Sequence, residues 1–130
     1  MNILLLEDVK SHASLFNYAL EDLGWREKIY VKWAQDIESA IDMLEDEITL
    51  MLVDYKLEDN RFGTEFCRIA RERKPNAIIL IMSSMDDWDI YVEAYEAGIN
   101  AFIPKFEDFD ELLDQLNCIL HYYENFWLRV

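Results

Sequence analysis

Thr49-Leu-Met-Leu-Val-Asp54 decides the fold, because this apolar run ends abruptly in a carboxylate and a polar loop follows it. A continuous apolar run of this length predicts a strand that is buried on both faces of a parallel sheet. In open α/β sheets, ligands bind just outside the carboxyl ends of the strands. Asp54 is therefore a candidate reacting group at such an edge.

Other segments of the chain repeat the alternation of a strand and a helix. Asn2-Ile-Leu-Leu-Leu6 is a second apolar run that ends in acids. Ser11, Asp36 and Asp108 are residue types that cap helices. Further strands are predicted at about 29–33, 77–82 and 100–103, and helices begin near Ser11, Asp36, Gly63, Asp87 and Asp108.

Five strands that alternate with five helices predict a flavodoxin-like, doubly wound α/β fold with a parallel sheet in the order 2-1-3-4-5. That order places the first and third strands side by side. We therefore expect Glu7, Asp8 and Asp54 to meet at one edge of the sheet. Ser83 and Lys105, which follow the fourth and fifth strands, should lie beside them in the same crevice.

The formal net charge of -15 over 130 residues limits the partners of the chain. Because nucleic-acid affinity depends on Lys and Arg neutralising phosphates, direct binding of DNA or RNA is not expected. Cys67 and Cys118 lie in helical patterns, and neither has a second thiol at metal-ligand spacing, which favours a reduced protein inside the cell. Since no apolar run approaches the length of a signal peptide or a membrane span, we expect a soluble, cytoplasmic protein without a membrane partner.

The predicted crevice suits a metal ion and a phosphoryl group. Two carboxylates about 4 Å apart repel by about 4 kcal/mol at an effective dielectric constant near 20, so clustered acids require a cation. Oxygen ligands that leave coordination positions to water and phosphate are typical of Mg²⁺ sites. Asp54 can then act as a nucleophile toward phosphorus, while Ser83 and Lys105 offer a hydroxyl and an ammonium to the phosphoryl oxygens.

From Asn2 to about Tyr123, the chain resembles the receiver domain of two-component response regulators. Four ordered motifs carry this resemblance, and they are specific as a set. They are Leu4-Leu-Leu-Glu-Asp8, Leu52-Val-Asp-Tyr-Lys-Leu57 with Gly63 after it, Ile78-Ile-Leu-Ile-Met-Ser-Ser84, and Ala97-Gly-Ile-Asn-Ala-Phe-Ile-Pro-Lys-Phe106.

The resemblance implies a role in phosphorelay signalling for each residue of the crevice. Asp54 would accept a phosphoryl group from a phosphohistidine on a sensor histidine kinase or a phosphotransfer protein. Ser83 and Lys105 would hold the phosphoryl oxygens, and Ser83 with Phe102 would form the switch pair. Mg²⁺, or Mn²⁺ as a substitute, would be bound directly by Asp8 and Asp54, by the backbone carbonyl of Lys56, and by Glu7 through water. The chain would catalyse only its own phosphorylation and dephosphorylation, and in that sense it is not expected to be an enzyme.

The sequence also departs from the pattern of the family it resembles. Pro104 precedes Lys105, where the family usually has lysine followed by proline, and this order is expected to alter the approach of the lysine. The loop from Asp54 to Gly63 is one residue longer than usual, with Glu58 in place of a common proline. Phe102 lacks the hydroxyl of the more common tyrosine, so burial of the ring is the remaining readout of the switch.

The resemblance implies an output face formed by the fourth helix, the fifth strand and the fifth helix, and this region of the sequence is strongly acidic. A symmetric dimer through complementary charges is therefore disfavoured, although the oligomeric state stays open. Two interpretations remain for the face: a docking surface for a basic downstream protein, or a solvated surface that maintains solubility. Its acids are Asp86, Asp87, Asp89, Glu93, Glu96, Glu107, Asp108, Asp110, Glu111 and Asp114.

The predicted organisation is one receiver domain over residues 1–130, without a DNA-binding output, ending in an aromatic-rich helix end at about 121–130. Phe126, Trp127 and nearby tyrosines exceed what a simple helix end needs. This end either covers the edge of the sheet or contacts another chain or an output domain.

Other functional classes remain to be weighed against a phosphoacceptor. A flavodoxin-like cofactor binder needs a neutral phosphate loop after its first strand, and the acids Glu7 and Asp8 would repel a phosphate there. Two alternatives stay open. One is a receiver-like interaction module that acts without phosphorylation, and the other is an aspartyl-phosphate phosphatase, although the Asp-x-Asp motif that such enzymes resembling the haloacid dehalogenase family carry after their first strand is absent from that position here. Incubation with a small phosphodonor and Mg²⁺ separates these classes.

Overall fold

The apolar runs of the sequence form five parallel strands in the computed structural model, which describes residues 1–123. The strands are β1 (Asn2–Leu6), β2 (Tyr30–Ala34), β3 (Leu50–Asp54), β4 (Ile78–Ser83) and β5 (Ala101–Pro104). The helices are α1 (Lys10–Asp22), α2 (Ile37–Asp42), α3 (Gly63–Arg73), α4 (Trp88–Glu96) and α5 (Phe109–Tyr122). The strand order is 2-1-3-4-5, so the predicted fold class and topology are confirmed.

Each central strand is apolar on both sides because the sheet separates two hydrophobic cores. Met51 and Val53 of β3 pack on the side of α2, α3 and α4, and Leu50 and Leu52 pack on the side of α1 and α5. Every residue from Leu50 to Val53 is at most 1% exposed. A strand with this environment requires an unbroken apolar run, and the first polar residue in it, Asp54, marks the edge of the sheet.

The predicted helix starts are correct where an aspartate caps the helix. The side chains of Asp36, Asp87 and Asp108 accept hydrogen bonds from backbone N–H groups in the first turns of α2, α4 and α5. The prediction for α1 was wrong, because α1 begins at Lys10 and Ser11 lies inside its first turn. The carbonyl of Val9 accepts from the backbone N–H groups of the residues three and four positions later, which closes the turn without a side-chain cap.

The residues that the structure describes end at Tyr123, one residue after α5. Tyr122 is the last residue of that helix, and Tyr123 is buried against the α1 and α5 core. The rest of the aromatic end predicted at 121–130 lies outside the described residues. Within residues 1–123, every helix is too short or too polar to cross a bilayer.

Candidate functional site

The polar residues that the sequence analysis predicted to lie together are located at the carboxyl ends of the strands. Backbone hydrogen bonds continue past the strand ends: the N–H of Glu7 donates to the carbonyl of Ala34 at 3.1 Å, and that of Lys105 to Ser83 at 2.8 Å. The site residues are thus fixed by the register of the sheet. They are Glu7, Asp8, Asp54, Ser83 and Lys105.

Three acids from two neighbouring strands converge. Glu7, Asp8 and Asp54 each place one carboxylate oxygen within 4.8 Å of the other two. Glu7 is fully buried, whereas Asp8 and Asp54 are half-buried and line an open cleft of about 530 Å³. Lys56 and Ser83 line the same cleft, so all of the predicted metal and phosphoryl ligands lie in or directly beneath it.

The ammonium group of Lys105 lies between two of these acids. Its Nζ atom is 2.7 Å from Glu7 Oε1 and 3.4 Å from Asp54 Oδ2. The side chains of Lys105 and Asp54 are only 13% and 14% exposed, so solvent screens these contacts weakly. The order Pro104-Lys105 therefore leaves the ammonium within reach of the acids.

The residues present fit a divalent cation. Among residues 1–123, no group donates a hydrogen bond to the buried Oε2 atom of Glu7. Buried carboxylate oxygens are rarely left unsatisfied, and this one lies in a cluster of acids. Asp8 uses Oδ2 to accept the backbone N–H of Glu58 at 2.7 Å, and its second oxygen is not engaged by that bond. Hard oxygen donors beside an open cleft are what Mg²⁺ requires.

Asp54 is a weaker acid than usual in the metal-free protein. Burial first, and then the neighbouring Glu7 carboxylate, raise its pKa to about 8, although the charge of Lys105 partly opposes the shift. A neutral carboxyl group is a weak nucleophile. Cationic charge at the acids is therefore needed to keep Asp54 ionised at neutral pH.

The two residues predicted as the switch pair lie on the β4 and β5 side of the cleft. Ser83 is buried, and its hydroxyl oxygen accepts the backbone N–H of Met85 at 3.0 Å. Phe102 is half-buried, with its ring centroid 4.6 Å from that of Tyr91 in an edge-to-face arrangement. Phe102 also lies 6.4 Å from the ring of Tyr55, the residue that follows the central aspartate.

The longer loop after β3 forms a 3₁₀ turn, Glu58–Asn60, that docks on the site through the bond from Glu58 to Asp8. Asn60 takes a positive φ of 57°, which asparagine tolerates better than most residues. Lys56 pairs with Phe62 across the base of the loop. The extra residue is thus accommodated without moving the loop away from the acids.

His12 is a site residue that the sequence analysis missed. Its Nδ1 atom lies 2.8 Å from Glu7 Oε1, and its ring lines the cleft. His12 lies outside the motifs, so no pattern marked it. The usable signal was its position, because a helix that starts at Lys10, two residues after Asp8, can turn a side chain of its first turn back over the end of β1.

Comparisons with known proteins agree with this geometry. A family model described as response regulator receiver domain matches residues 3–117. Response regulator RppA of Synechocystis sp. is 30% identical over 122 residues, covering 92% of this chain and 50% of that protein. Transcriptional regulatory protein CpxR of Escherichia coli K12 is 29% identical over 118 residues, covering 91% of this chain and 48% of that protein. The chain thus spans about half the length of these relatives.

Solved structures have the same fold. A receiver domain protein, described as CheY-like, from Methanospirillum hungatei JF-1 superposes with a TM-score of 0.76 at 25% identity, covering 95% of each chain. The BeF3-activated DrrB receiver domain superposes with a TM-score of 0.72 at 22% identity, covering 92% of this chain and 97% of that chain. At 22% identity, the second match supports the fold alone.

Proposed function

Because this chain belongs to the response regulator receiver domain family, we propose that Asp54 accepts a phosphoryl group from a phosphohistidine of a sensor histidine kinase or phosphotransfer protein. The observation that carries the proposal is the position of the Lys105 ammonium, 3.4 Å from Asp54 and 2.7 Å from Glu7. A nucleophilic carboxylate and a cation for phosphoryl oxygens meet there in one cleft. The chain acts as a signalling phosphoacceptor and not on a separate substrate.

The transfer needs one bond formed and one broken. An oxygen of the Asp54 carboxylate bonds to phosphorus while the bond between phosphorus and the imidazole nitrogen of the donor breaks. The electron pair of the broken bond stays on that nitrogen. Lys105 and the Ser83 hydroxyl donate hydrogen bonds to the equatorial oxygens, whose charge is greatest during transfer. Later hydrolysis of the acyl phosphate by water returns Asp54 to its free form.

The acids would hold Mg²⁺, with Asp8 and Asp54 as direct ligands, the Lys56 carbonyl as a third, and Glu7 acting through water; Mn²⁺ is a substitute. When bound, Mg²⁺ neutralises the carboxylates and the charge of the transferred phosphoryl group. Glu7 fits the outer role because it is fully buried and already engaged by Lys105 through one oxygen. Asp8 and Asp54, which line the cleft, fit the direct role.

We also propose how the phosphoryl group is read. A phosphoryl group on Asp54 carries about two negative charges at the end of β3, and the Ser83 hydroxyl turns toward it. Ser83 then gives up its bond from the Met85 N–H, and Phe102 moves inward from its contact with Tyr91. The surface of α4 and β5 changes as a result. A basic downstream protein is the partner that this acidic face favours.

The cytoplasm is the compartment we propose, since reducing conditions suit two free thiols. Cys67 is buried and Cys118 is exposed, and both are free cysteines. A sensor kinase domain that phosphorylates Asp54 would act in the same compartment.

Labelling with a small phosphodonor tests the proposal. The intact protein is incubated with acetyl phosphate and Mg²⁺, and its mass is followed beside that of Asp54→Asn. We expect the mass of one phosphoryl group to be gained by the wild-type protein and to be absent from the variant. Continuous release of phosphate with little retained mass gain would indicate a phosphatase. Absence of both would indicate a binding module that works without phosphorylation.

A further inference from the structure

One carboxylate oxygen of Glu7 accepts hydrogen bonds from two side chains. Glu7 Oε1 lies 2.7 Å from Lys105 Nζ and 2.8 Å from His12 Nδ1. A carboxylate only accepts hydrogen bonds, so the hydrogen in the second contact belongs to the imidazole nitrogen. The sequence motifs account for Lys105 but not for His12.

The phosphoryl transfer makes conflicting demands on Lys105. In the unphosphorylated protein, its ammonium is closer to Glu7 than to Asp54. To hold a phosphoryl oxygen on Asp54, the ammonium must turn away from Glu7. A fully buried carboxylate that loses a direct hydrogen-bond donor is destabilised even where Mg²⁺ is held through water, so Glu7 without a second direct donor would favour keeping the lysine.

We propose that His12 is a positioning residue that keeps Glu7 hydrogen-bonded while Lys105 turns to the phosphoryl group. The inference rests on the proposed function and adds to it a residue that sets how readily the lysine is released. His12 acts through Glu7 and Lys105 and does not touch the phosphoryl group itself.

The surroundings of His12 hold its ring in place for this role. The ring meets Phe106 edge-to-face, with 5.8 Å between centroids, and Phe106 in turn meets Phe16 of α1 at 5.8 Å. Phe106 directly follows Lys105, and its ring contacts both the lysine ammonium and the His12 ring. The donor nitrogen thus stays near Glu7 when the flexible lysine side chain moves.

The test is a double-mutant cycle between positions 12 and 105. The initial rate of Asp54 labelling by acetyl phosphate is measured at saturating Mg²⁺ for His12→Leu, for Lys105→Met and for the double variant. Loss of a hydrogen bond to a charged group predicts that His12→Leu slows labelling by about tenfold. In the Lys105→Met background, the same change is expected to have almost no effect, because there is no lysine left to release.

Two further variants separate positioning from general damage. His12→Asn keeps an N–H donor close to the place of Nδ1 and is expected to recover most of the lost rate. Tyr18→Leu removes an exposed ring from the same helix, and is expected to label at the wild-type rate. Thermal unfolding of each variant shows whether a slow rate reflects loss of folded protein.

A second readout does not depend on activity. We expect the ¹H–¹⁵N NMR signal of the His12 Nδ1–H group to persist when beryllofluoride and Mg²⁺ are added, because Glu7 remains its acceptor. Loss of this signal on addition would overturn the proposal.

The labelling rates can also contradict the proposal. An equal slowing by His12→Leu in both backgrounds, or no slowing in either, would overturn the proposal while labelling of the wild-type protein leaves the proposed function intact. A wild-type protein that takes up no phosphoryl group would overturn both.

Discussion

Burial gives Asp54 its raised pKa of about 8, and this single group ties the stability of the metal-free protein to pH. In the unfolded chain the same carboxyl group has the ordinary pKa of 3.8. Between these two values the folded state binds a proton that the unfolded state lacks. Folding stability therefore falls as pH rises from about 4 to about 8, and levels off above that range.

We predict that, in the presence of a chelator, the free energy of unfolding decreases by about 1 kcal/mol per pH unit within that range. Urea unfolding at several pH values measures the slope. Asp54→Asn cannot ionise, so its profile should be flatter and the variant should be more stable than the wild-type protein at pH 8. Glu21→Gln, which removes an exposed acid of α1, should keep the wild-type slope. Equal slopes for the wild-type protein and Asp54→Asn would contradict the prediction.

Gly63 is needed because α3 begins against the end of β3. A Cβ atom at this position would collide with the backbone oxygen of Asp54 and with the side chain of Val53. The N–H of Gly63 also donates to the carbonyl of Tyr55 at 2.6 Å, so the helix cannot shift away without losing this bond. Because position 63 has no side chain, α3 can begin beside Asp54 without displacing the backbone of that residue.

We predict that Gly63→Ala lowers the free energy of unfolding by about 1–3 kcal/mol, as overpacking of a tight site typically does. It should also slow labelling of Asp54, because the collision moves the backbone of that residue. Gly24→Ala is the comparison: Gly24 has a φ of 78° but no atom within 4 Å of the added Cβ. It should lose stability without slowing labelling. Unchanged labelling in Gly63→Ala would show that the strand end tolerates the methyl group.

At the scale of elements, the sequence predicted what local chemistry decides. Apolar runs such as Leu50 to Val53 identify buried strands, and aspartates such as Asp36 and Asp108 identify helix starts that the structure contains. Ser11 failed as a cap because backbone bonds to Val9 close the first turn of α1. Which side-chain cap a helix uses depends on the path of the preceding strand, and composition does not record that path.

Glu93, which the sequence analysis counted among the acids of the output face, is half-buried and ties the α4 helix to the rest of the site. Glu93 accepts the hydroxyl of Thr64 at 2.7 Å and that of Tyr55 at 3.4 Å. Burial, and next the charge of Glu93, raise the pKa of Tyr55. Glu93 thus joins α4 to the start of α3 and to the residue that follows Asp54. These contacts are long-range, because the partners are 29 and 38 positions apart in the chain, and only the fold brings them together.

We predict that Glu93→Ala loosens α4. The hydroxyl of Thr64 is left buried without this acceptor, which should lower the free energy of unfolding by about 1–2 kcal/mol. Hydrogen exchange of α4 amides should become faster than in the wild-type protein. Glu96→Ala removes an exposed acid from the same helix and should leave exchange near the wild-type rate. Equally fast exchange in both variants would show that charge, and not the hydroxyl contacts, holds the helix.

At the scale of the whole molecule, the sequence predicted the site better than it predicted the contacts within it. The order 2-1-3-4-5 alone was enough to bring Glu7, Asp8 and Asp54 together, because the carboxyl ends of parallel strands share one edge. The same reasoning could not show that Lys105 is closer to Glu7 than to Asp54, or that His12 shares that acceptor. Those distances depend on side-chain packing around Phe106, to which residues far apart in the chain contribute.

The net charge of -15 also acts on the molecule as a whole. On the face of α4, β5 and α5, exposed acids such as Asp89 and Glu96 surround exposed aromatic rings, including Trp88 at 76% and Tyr95 at 52% exposure. Two copies that meet through this face would bring like charges together, while the rings would favour contact. Repulsion between exposed charges extends about 10 Å at 0.1 M salt and about 3 Å at 1 M.

The balance between these two forces predicts the oligomeric state of the unphosphorylated protein. We expect a monomer at low salt, because like charges on both copies repel before the rings can meet. Any self-association through this face should appear only as salt rises, since salt screens the acids and leaves the apolar contact unchanged. Light scattering across a salt series measures this. Trp88→Ser removes an exposed ring from this face, and Tyr18→Ser, on α1, is the matched control. A dimer that persists at all salt concentrations and is lost in Trp88→Ser would show that apolar contact outweighs the charge on this face.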